Sequence, residues 1–256
     1  MNRSVRLADM TYEEAAAEAE AGAVALLPAG ATEAHGPHLP LSTDVIISET
    51  GAIRAARALR ADGVAAVVLP PLAYAVTEFA SDFGGTISLP IETATALARD
   101  VILGAARAGF AGVVVCNAHL EPGNLKALKD AVAAANEAGV RAAFPDVTRK
   151  PHALRLGDEF KSGACHAGSY ETSLVLAADP FMVRQDVAGE LEPNPSSLSV
   201  AIREGKSSFL EAGGPRAYFG YPADASVAEG EALYGELCDI FATAARSLLA
   251  GTEGRD

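Results

Sequence analysis

Two apolar runs, Val24-Ala25-Leu26-Leu27 and Val113-Val114-Val115-Cys116, constrain this chain more than any other feature. Neither alternates with polar residues, so a strand built from either must be covered on both faces, as in a parallel sheet flanked by helices. The surrounding pattern repeats that unit. Thr11-Tyr12-Glu13-Glu14 has capping-box spacing and opens a helix over about 12–21, which Gly22 closes. Strands are expected at 24–29, 65–69, 111–116 and 140–144, separated by helices over 44–61, 92–108 and 123–138. This alternation predicts an α/β fold with a mainly parallel sheet, and one domain over 1–256 accounts for it.

The remaining segments are less regular. Residues 73–90 read as a long loop, of the kind that carries function in compact domains. Pro145, Pro151, Gly157 and Gly163 break up 145–166, and Ser169 is placed to cap a helix from Tyr170 to Ala178. Residues 186–229, rich in Pro, Gly and Ser, are expected to form loops with short strands, and a terminal helix is expected from Gly230 to Ala250.

Charge narrows the partners. With 33 acidic against 20 basic residues the formal charge is −13, which repels a nucleic-acid backbone and suits bound divalent cations. The three cysteines, Cys116, Cys165 and Cys238, are odd in number and far apart, so no disulfide framework is expected. The opening Met1 to Met10 is too short in apolar length for a signal peptide, and no window is long and apolar enough for a membrane span. A cytoplasmic protein acting on a small-molecule substrate, without nucleic acid or membrane, is the expectation.

The chemistry concentrates after the first apolar run. Glu33, His35, His38 and Asp44 fall within twelve residues, and His119 and Glu121 follow the second run. Open α/β sheets bind ligands beyond the carboxyl ends of their strands. Residues two apart, such as Glu33 and His35 or His119 and Glu121, would point the same way on an ideal strand. Imidazole and carboxylate suit zinc, manganese or iron, and this many donors exceeds the needs of one tetrahedral zinc. Two divalent ions with Asp44 as the bridge are therefore expected, acting on a carbonyl through bridging hydroxide.

Each residue also has a plainer reading. Asp44 could merely cap the following helix. His38 is as well suited to an outer hydrogen bond as to direct ligation. Glu171 occupies a helix first turn, where an acid is favoured anyway. His166, between Gly163 and Gly168, suits acid/base work or oxyanion stabilisation. A Cys165 nucleophile is disfavoured because adjacency to His166 in sequence does not create the pairing that activates a thiol. Gly84-Gly85 fits no nucleotide-binding motif, and a two-metal phosphoesterase would want Arg or Lys inside these motifs.

Taken in order, Leu27-Pro28-Ala29-Gly30-Ala31-Thr32-Glu33-Ala34-His35-Gly36-Pro37-His38 through Asp44, then Phe83-Gly84-Gly85-Thr86-Ile87-Ser88-Leu89, Asn117-Ala118-His119-Leu120-Glu121 with Asn124, and His166-Ala167-Gly168 with Glu171-Thr172-Ser173 resemble the motifs of the creatininase (creatinine amidohydrolase) family. The resemblance covers about the first 180 residues. It implies a three-layer αβα domain, a homo-oligomer that is a hexamer in many members, and two ions, zinc and/or manganese with iron as a further option. Glu33, Asp44 and His119 would hold one ion; His35, Asp44 and Glu121 would hold the other. His166 and Glu121 are the expected catalytic residues. Thr77, Glu78, Leu120 and Cys165 are expected near substrate, with His38 and Glu171 as outer partners or alternative ligands.

The departures bear on substrate. Creatininase lines its site with tryptophans and this chain has none; Leu120 stands where creatininase has a substrate-contacting tyrosine. Many relatives have His-Gly-Gly-Asn where this chain has His119-Leu120-Glu121-Pro122-Gly123-Asn124, which sets Glu121 against Glu171 as ligand, with Glu121 preferred. The resemblance implies an amidohydrolase cleaving a C–N bond of a small cyclic amide, formamide or short peptide-like substrate. A hydrolase of a cyclic sugar-like ketone and a catalytically silent metal-binding subunit are the alternatives.

Overall fold

The computed structural model describes residues 4–251. Among them, four strands form one parallel sheet in the order β2-β1-β3-β4: β1 is Val24–Ala29, β2 Ala66–Val68, β3 Gly112–Asn117 and β4 Ala142–Ala143. β1 and β3 lie side by side along their whole length, Val24 against Gly112 and Ala29 against Asn117. The two ligand-bearing loops consequently leave the sheet next to one another.

The apolar runs explain the layers. Val24, Leu26, Val114 and Cys116 face one side and pack with α2 (Thr43–Ala61), α7 (Ser169–Ala178) and α10 (Val227–Ala250). Ala25, Leu27, Val113 and Val115 face the other and pack with α3 (Ile91–Arg107) and α4 (Pro122–Glu137). Alternate residues thus serve opposite cores, which is why neither run could afford a polar position. The result is the three-layer α/β arrangement.

The helix α1 (Tyr12–Glu20) has the expected capping box, Thr11 and Glu14 satisfying each other's backbone amides. Shorter helices follow β4: α5 (Lys150–Ala153), α6 (Gly157–Ser162), α8 (Gln185–Gly189) and α9 (Leu198–Arg203). Several expectations need correction. β4 is two residues where five were expected. The 186–229 segment contains α8, α9 and a 3-10 turn, with one isolated antiparallel bridge, Asn194 to Gly220, in place of short strands. α10 begins at Val227 because Ser226 caps it, its side chain accepting from the Glu229 amide. Gly230 therefore lies inside the helix, where a side chain would strike the Ser173 carbonyl.

Two details of the helix starts matter for the site. Asp44 is the second residue of α2, and the Ser42 side chain forms no capping bond; the Asp44 carboxylate is turned into the site. Gly30 makes this possible, since a Cβ there would fall 2.6 Å from the Val45 amide nitrogen. Ser169 does not cap α7 either. Gly168 holds that position, and Glu159 accepts from the Ser169 and Tyr170 amides at 3.0 and 2.7 Å.

Candidate metal centre

Past β1 the chain leaves the sheet and runs through 30–35 without regular pairing, so Glu33 and His35 are aimed by loop contacts and not by strand alternation. The Glu33 amide is tied to the Leu41 carbonyl at 3.0 Å. The His35 Nδ1–H donates to the Glu33 carbonyl at 3.2 Å, leaving Nε2 to face inward. His119 is fixed in the opposite sense: its Nε2–H donates to the Val76 carbonyl at 2.7 Å, so Nδ1 faces inward. A carbonyl only accepts, and each contact therefore selects the tautomer that frees the inward nitrogen as a ligand.

These nitrogens meet carboxylates. His119 Nδ1 lies 3.3 Å from Glu33 Oε1 and 3.2 Å from Asp44 Oδ2. His35 Nε2 lies 3.3 Å from Asp44 Oδ1 and 3.4 Å from Glu171 Oε2. Donor atoms close enough to hold one cation occur as Glu33, Asp44 and His119, and again as His35, Asp44 and Glu171. Asp44 belongs to both groups and offers a different oxygen to each. A third grouping joins Glu33 and His35 with His166.

All these side chains are buried, and His35 Nε2 and Asp44 Oδ2 have no hydrogen-bond partner among the described residues. Unpaired buried polar atoms of this kind are costly, and a pair of cations would satisfy both. The donors, mixed nitrogen and oxygen with one shared carboxylate, fit two divalent ions.

The electrostatics say the same. Burial disfavours a charged His35, but Asp44, Glu171 and Glu33 overcome it and lift the imidazole to about 10. His119 is likewise raised well above its ordinary value, burial being outweighed by Glu33 and Asp44. Despite burial, His119 holds the Glu33 carboxyl below the usual range, and His35 and His119 hold Asp44 far below it. Burial carries Glu171 up to about 8 against the pull of His35. Protons that His35 and His119 hold in this way would be displaced by a cation taking the same lone pairs.

Glu121 stands apart from the donor groups. Its two oxygens accept from the Glu78 and Phe79 amides at 3.0 and 3.1 Å, and it lines the cavity above the site. The preference for Glu121 as a ligand over Glu171 does not match this placement. Two residues beyond His119 the chain is already turning into α4, with Glu121 at its N-cap position, so strand-like alternation no longer aims both side chains at one point.

His38 is buried but outside the donor groups, its Nε2 lying 2.9 Å from Thr172 Oγ1 beneath α7. Burial, followed by the nearby His35, pushes it down to about 4. Thr77 donates its hydroxyl to Glu33 Oε2. Glu78 is tied to Ser88 Oγ at 2.6 Å. Leu120 and Cys165 line the cavity, and burial pushes the Cys165 thiol well up, which keeps it protonated.

His166 stacks between His35 and Phe209, with ring centroids 4.4 and 4.2 Å away. Its Nε2–H donates to the Ala34 carbonyl at 3.0 Å, and Nδ1 is 3.8 Å from Glu33 Oε1. Burial, and then His35, lowers it to about 3, so the ring is neutral. The cavity above has a volume of about 460 Å³. Its wall includes Phe79, Phe160, Leu154, Leu198, Ile202 and Phe209, with Lys150 and Lys161 as its cationic members. Neither Phe209 nor Lys150 carries a local sequence signal, because both reach the site from the irregular 145–229 region.

A sequence profile of the creatininase family, described as creatinine amidohydrolase, matches residues 8–245. The chain belongs to the creatininase family. The mycofactocin precursor peptide peptidase of Mycobacterium tuberculosis (strain ATCC 25618 / H37Rv) is 33% identical over 222 residues, covering 84% of this chain and 81% of that protein. The crystal structure of a creatinine amidohydrolase (creatininase) superposes with a TM-score of 0.77 at 26% identity, over 95% of this chain and 97% of the other. A mutant creatininase of the Zn-Zn type gives 0.76 at 26% identity, over 96% and 98%. No helix among the described residues is long and apolar enough to cross a membrane.

Proposed function

We propose that this chain is a two-metal hydrolase that cleaves a C–N bond in a peptide-like substrate. The observation that carries the reading is Asp44, buried and shared between two donor groups at the floor of an open, largely apolar cavity. Glu33, Asp44 and His119 would hold one ion and His35, Asp44 and Glu171 the other. Zinc or manganese is the proposed occupant, in keeping with the donor chemistry and with the Zn-Zn relative. Such a pair supplies Lewis acidity toward a carbonyl and a lowered pKa for water.

The chain's own residues do the rest. The neutral His166 presents Nδ1 to the site while Nε2 stays bonded to Ala34, so Nδ1 is the atom that takes and returns a proton during attack and nitrogen departure. Phe209 fixes the plane of that ring and excludes water from its far face. Thr77 orients Glu33, and the apolar wall holds the substrate's side chains.

A peptide is favoured over a small flat lactam for two reasons. The peptidase relative is the more similar in sequence, at 33%, and a cavity of about 460 Å³ is in the range that encloses ligands of many atoms. The structural likeness to creatininase keeps a lactam as the second reading. The test is a hydrolysis screen of metal-reconstituted protein over short peptides, formamides and lactams, with Asp44→Asn as control. Peptide hydrolysis that vanishes on chelation and returns with manganese or zinc is expected; activity confined to lactams selects the second reading, and full activity without metal removes both. One catalytic domain assembled as a homo-oligomer, a hexamer by family expectation, belongs to the same proposal and is tested by the sedimentation mass.

A further inference from the structure

Glu121 and Glu159 are buried enough to need partners, and each spends both carboxylate oxygens on backbone amides. Glu121 accepts from the Glu78 and Phe79 amides at 3.0 and 3.1 Å. The same four-residue strap then turns inward: the Val76 carbonyl accepts from His119 Nε2 at 2.7 Å, and Thr77 donates to Glu33. Two donors of the first group are therefore held by a strap that Glu121 anchors.

Glu159, on α6, does the equivalent on the opposite side. Its Oε1 accepts from Ser169 and Tyr221 at 3.0 and 2.7 Å, and Oε2 from Tyr170 at 2.7 Å. Ser169 and Tyr170 open the helix that carries Glu171, whose own Oε2 accepts from the Ala167 amide at 2.6 Å. Two residues before Tyr221, the Phe219 amide donates to the His166 carbonyl at 2.8 Å. Gly168 leaves the space that Glu159 fills, since a Cβ there would fall 2.5 Å from Oε2.

We propose that Glu121 and Glu159 are paired positioning residues, each setting the geometry of one donor group and so the affinity of one ion. Neither touches the ions: Glu121 acts on Glu33 and His119 through the 76–79 strap, and Glu159 acts on Glu171 through the start of α7. The inference rests on the two-ion reading, and outer partners of ligands are commonly worth about 10–100-fold in metal affinity.

The experiment titrates metal-free full-length protein with manganese(II) by calorimetry. Glu171→Gln identifies the second ion as the step it abolishes. Glu159→Gln is expected to weaken that step about 10-fold or more and leave the other within about 3-fold, while Glu121→Gln weakens the other step selectively. Both variants should still bind two ions at saturation. Both should also melt below the parent in the metal-free state, because the clamps exist without metal. Should Glu159→Gln fail to fold, Gly168→Ala crowds the same carboxylate and is expected to weaken the same step.

Loss of one ion at saturation in Glu121→Gln, with an unchanged or higher metal-free melting point, would make Glu121 a ligand and overturn the proposal. Equal weakening of both steps by Glu159→Gln or Gly168→Ala would overturn it as well. Parent protein that binds no manganese sinks the two-ion reading itself, a result separate from either.

Discussion

Asp44 is the residue on which both donor groups converge, one oxygen facing His35 and the other His119. Its replacement should therefore be worse than the loss of any ligand that serves one ion. Asp44→Asn is expected to lower metal content from two ions per chain to one or none and to reduce hydrolysis by more than the ~100-fold that removing an outer partner costs; elemental analysis alongside rate measurements checks this. His166 gives the contrasting case. If its Nδ1 moves protons, His166→Gln should cut kcat by about 10²–10⁴ and leave two ions bound. Loss of an ion in that variant would instead favour the grouping of His166 with Glu33 and His35 as ligands. The residues in both tests were visible in the sequence, since histidine is rare and the motifs are dense. The choice between Glu121 and Glu171 was not, because it depends on how the chain turns after His119 and not on spacing. Glu159 gave no signal at all: its partners are at 169, 170 and 221, and only the folded backbone brings those amides together.

At the scale of elements, what the sequence made legible were those whose side chains all answer to a core. β1 and β3 are continuous apolar runs because they separate two helical layers, and their bounds agree with those the sequence predicts to within a residue. Segments 145–166 and 186–229 are barely legible in the sequence because their helices, α5, α6, α8 and α9, run only four to six residues, too short to establish an apolar period. The contact between the end of β1 and the start of α2 is testable. Gly30→Ala drives a Cβ to 2.6 Å from the Val45 nitrogen and 2.9 Å from Asp44 Cβ, so either the strand end or the helix start must move. Overpacking of this kind costs about 1–3 kcal/mol. The urea midpoint should fall accordingly, and metal affinity should fall with it because Asp44 rides on the displaced helix. A second junction responds to acid. Asp146, just after β4, accepts from the Thr148 amide and hydroxyl at 2.9 and 2.6 Å and pairs with Lys129 on α4 at 2.7 Å. Burial opposes its charge, but Lys129 and Thr148 prevail and hold the carboxyl below its ordinary value. A depressed folded pKa stabilises the protein above the unfolded value, about 3.9, and that stability disappears as pH falls through the folded value. Asp146→Asn should thus be less stable than the parent at neutral pH, and the gap should close in acid below about pH 4. A gap independent of pH would show that the carboxylate's charge contributes nothing.

Over the whole molecule, charge decides what can approach the cavity. The chain carries a formal −13, and Glu33, Asp44, Glu121 and Glu171 in the cavity lining add to the local field. Two bound divalent cations would offset those four carboxylates, leaving Lys150 and Lys161 to set the sign at the walls. Lys161 is engaged with Asp158 at 2.5 Å, which leaves Lys150 as the stronger source of positive potential. Substrates bearing a carboxylate should then feel Lys150, whereas the same substrates blocked as amides should not. An exposed ion pair contributes roughly 0.2–1 kcal/mol, so Lys150→Ala is expected to raise KM for the free acid by no more than about fivefold. Lys150→Glu should exceed that by adding repulsion, with kcat nearly unchanged in both variants. Raising the ionic strength should shrink the difference between acid and amide in the parent, because charges at a solvent-filled mouth are screened within about 8–10 Å. Equal KM changes for acid and amide substrates would mean that Lys150 acts through its aliphatic stem against Leu154 and the apolar wall, and that selection at this cavity is made by shape and not by charge.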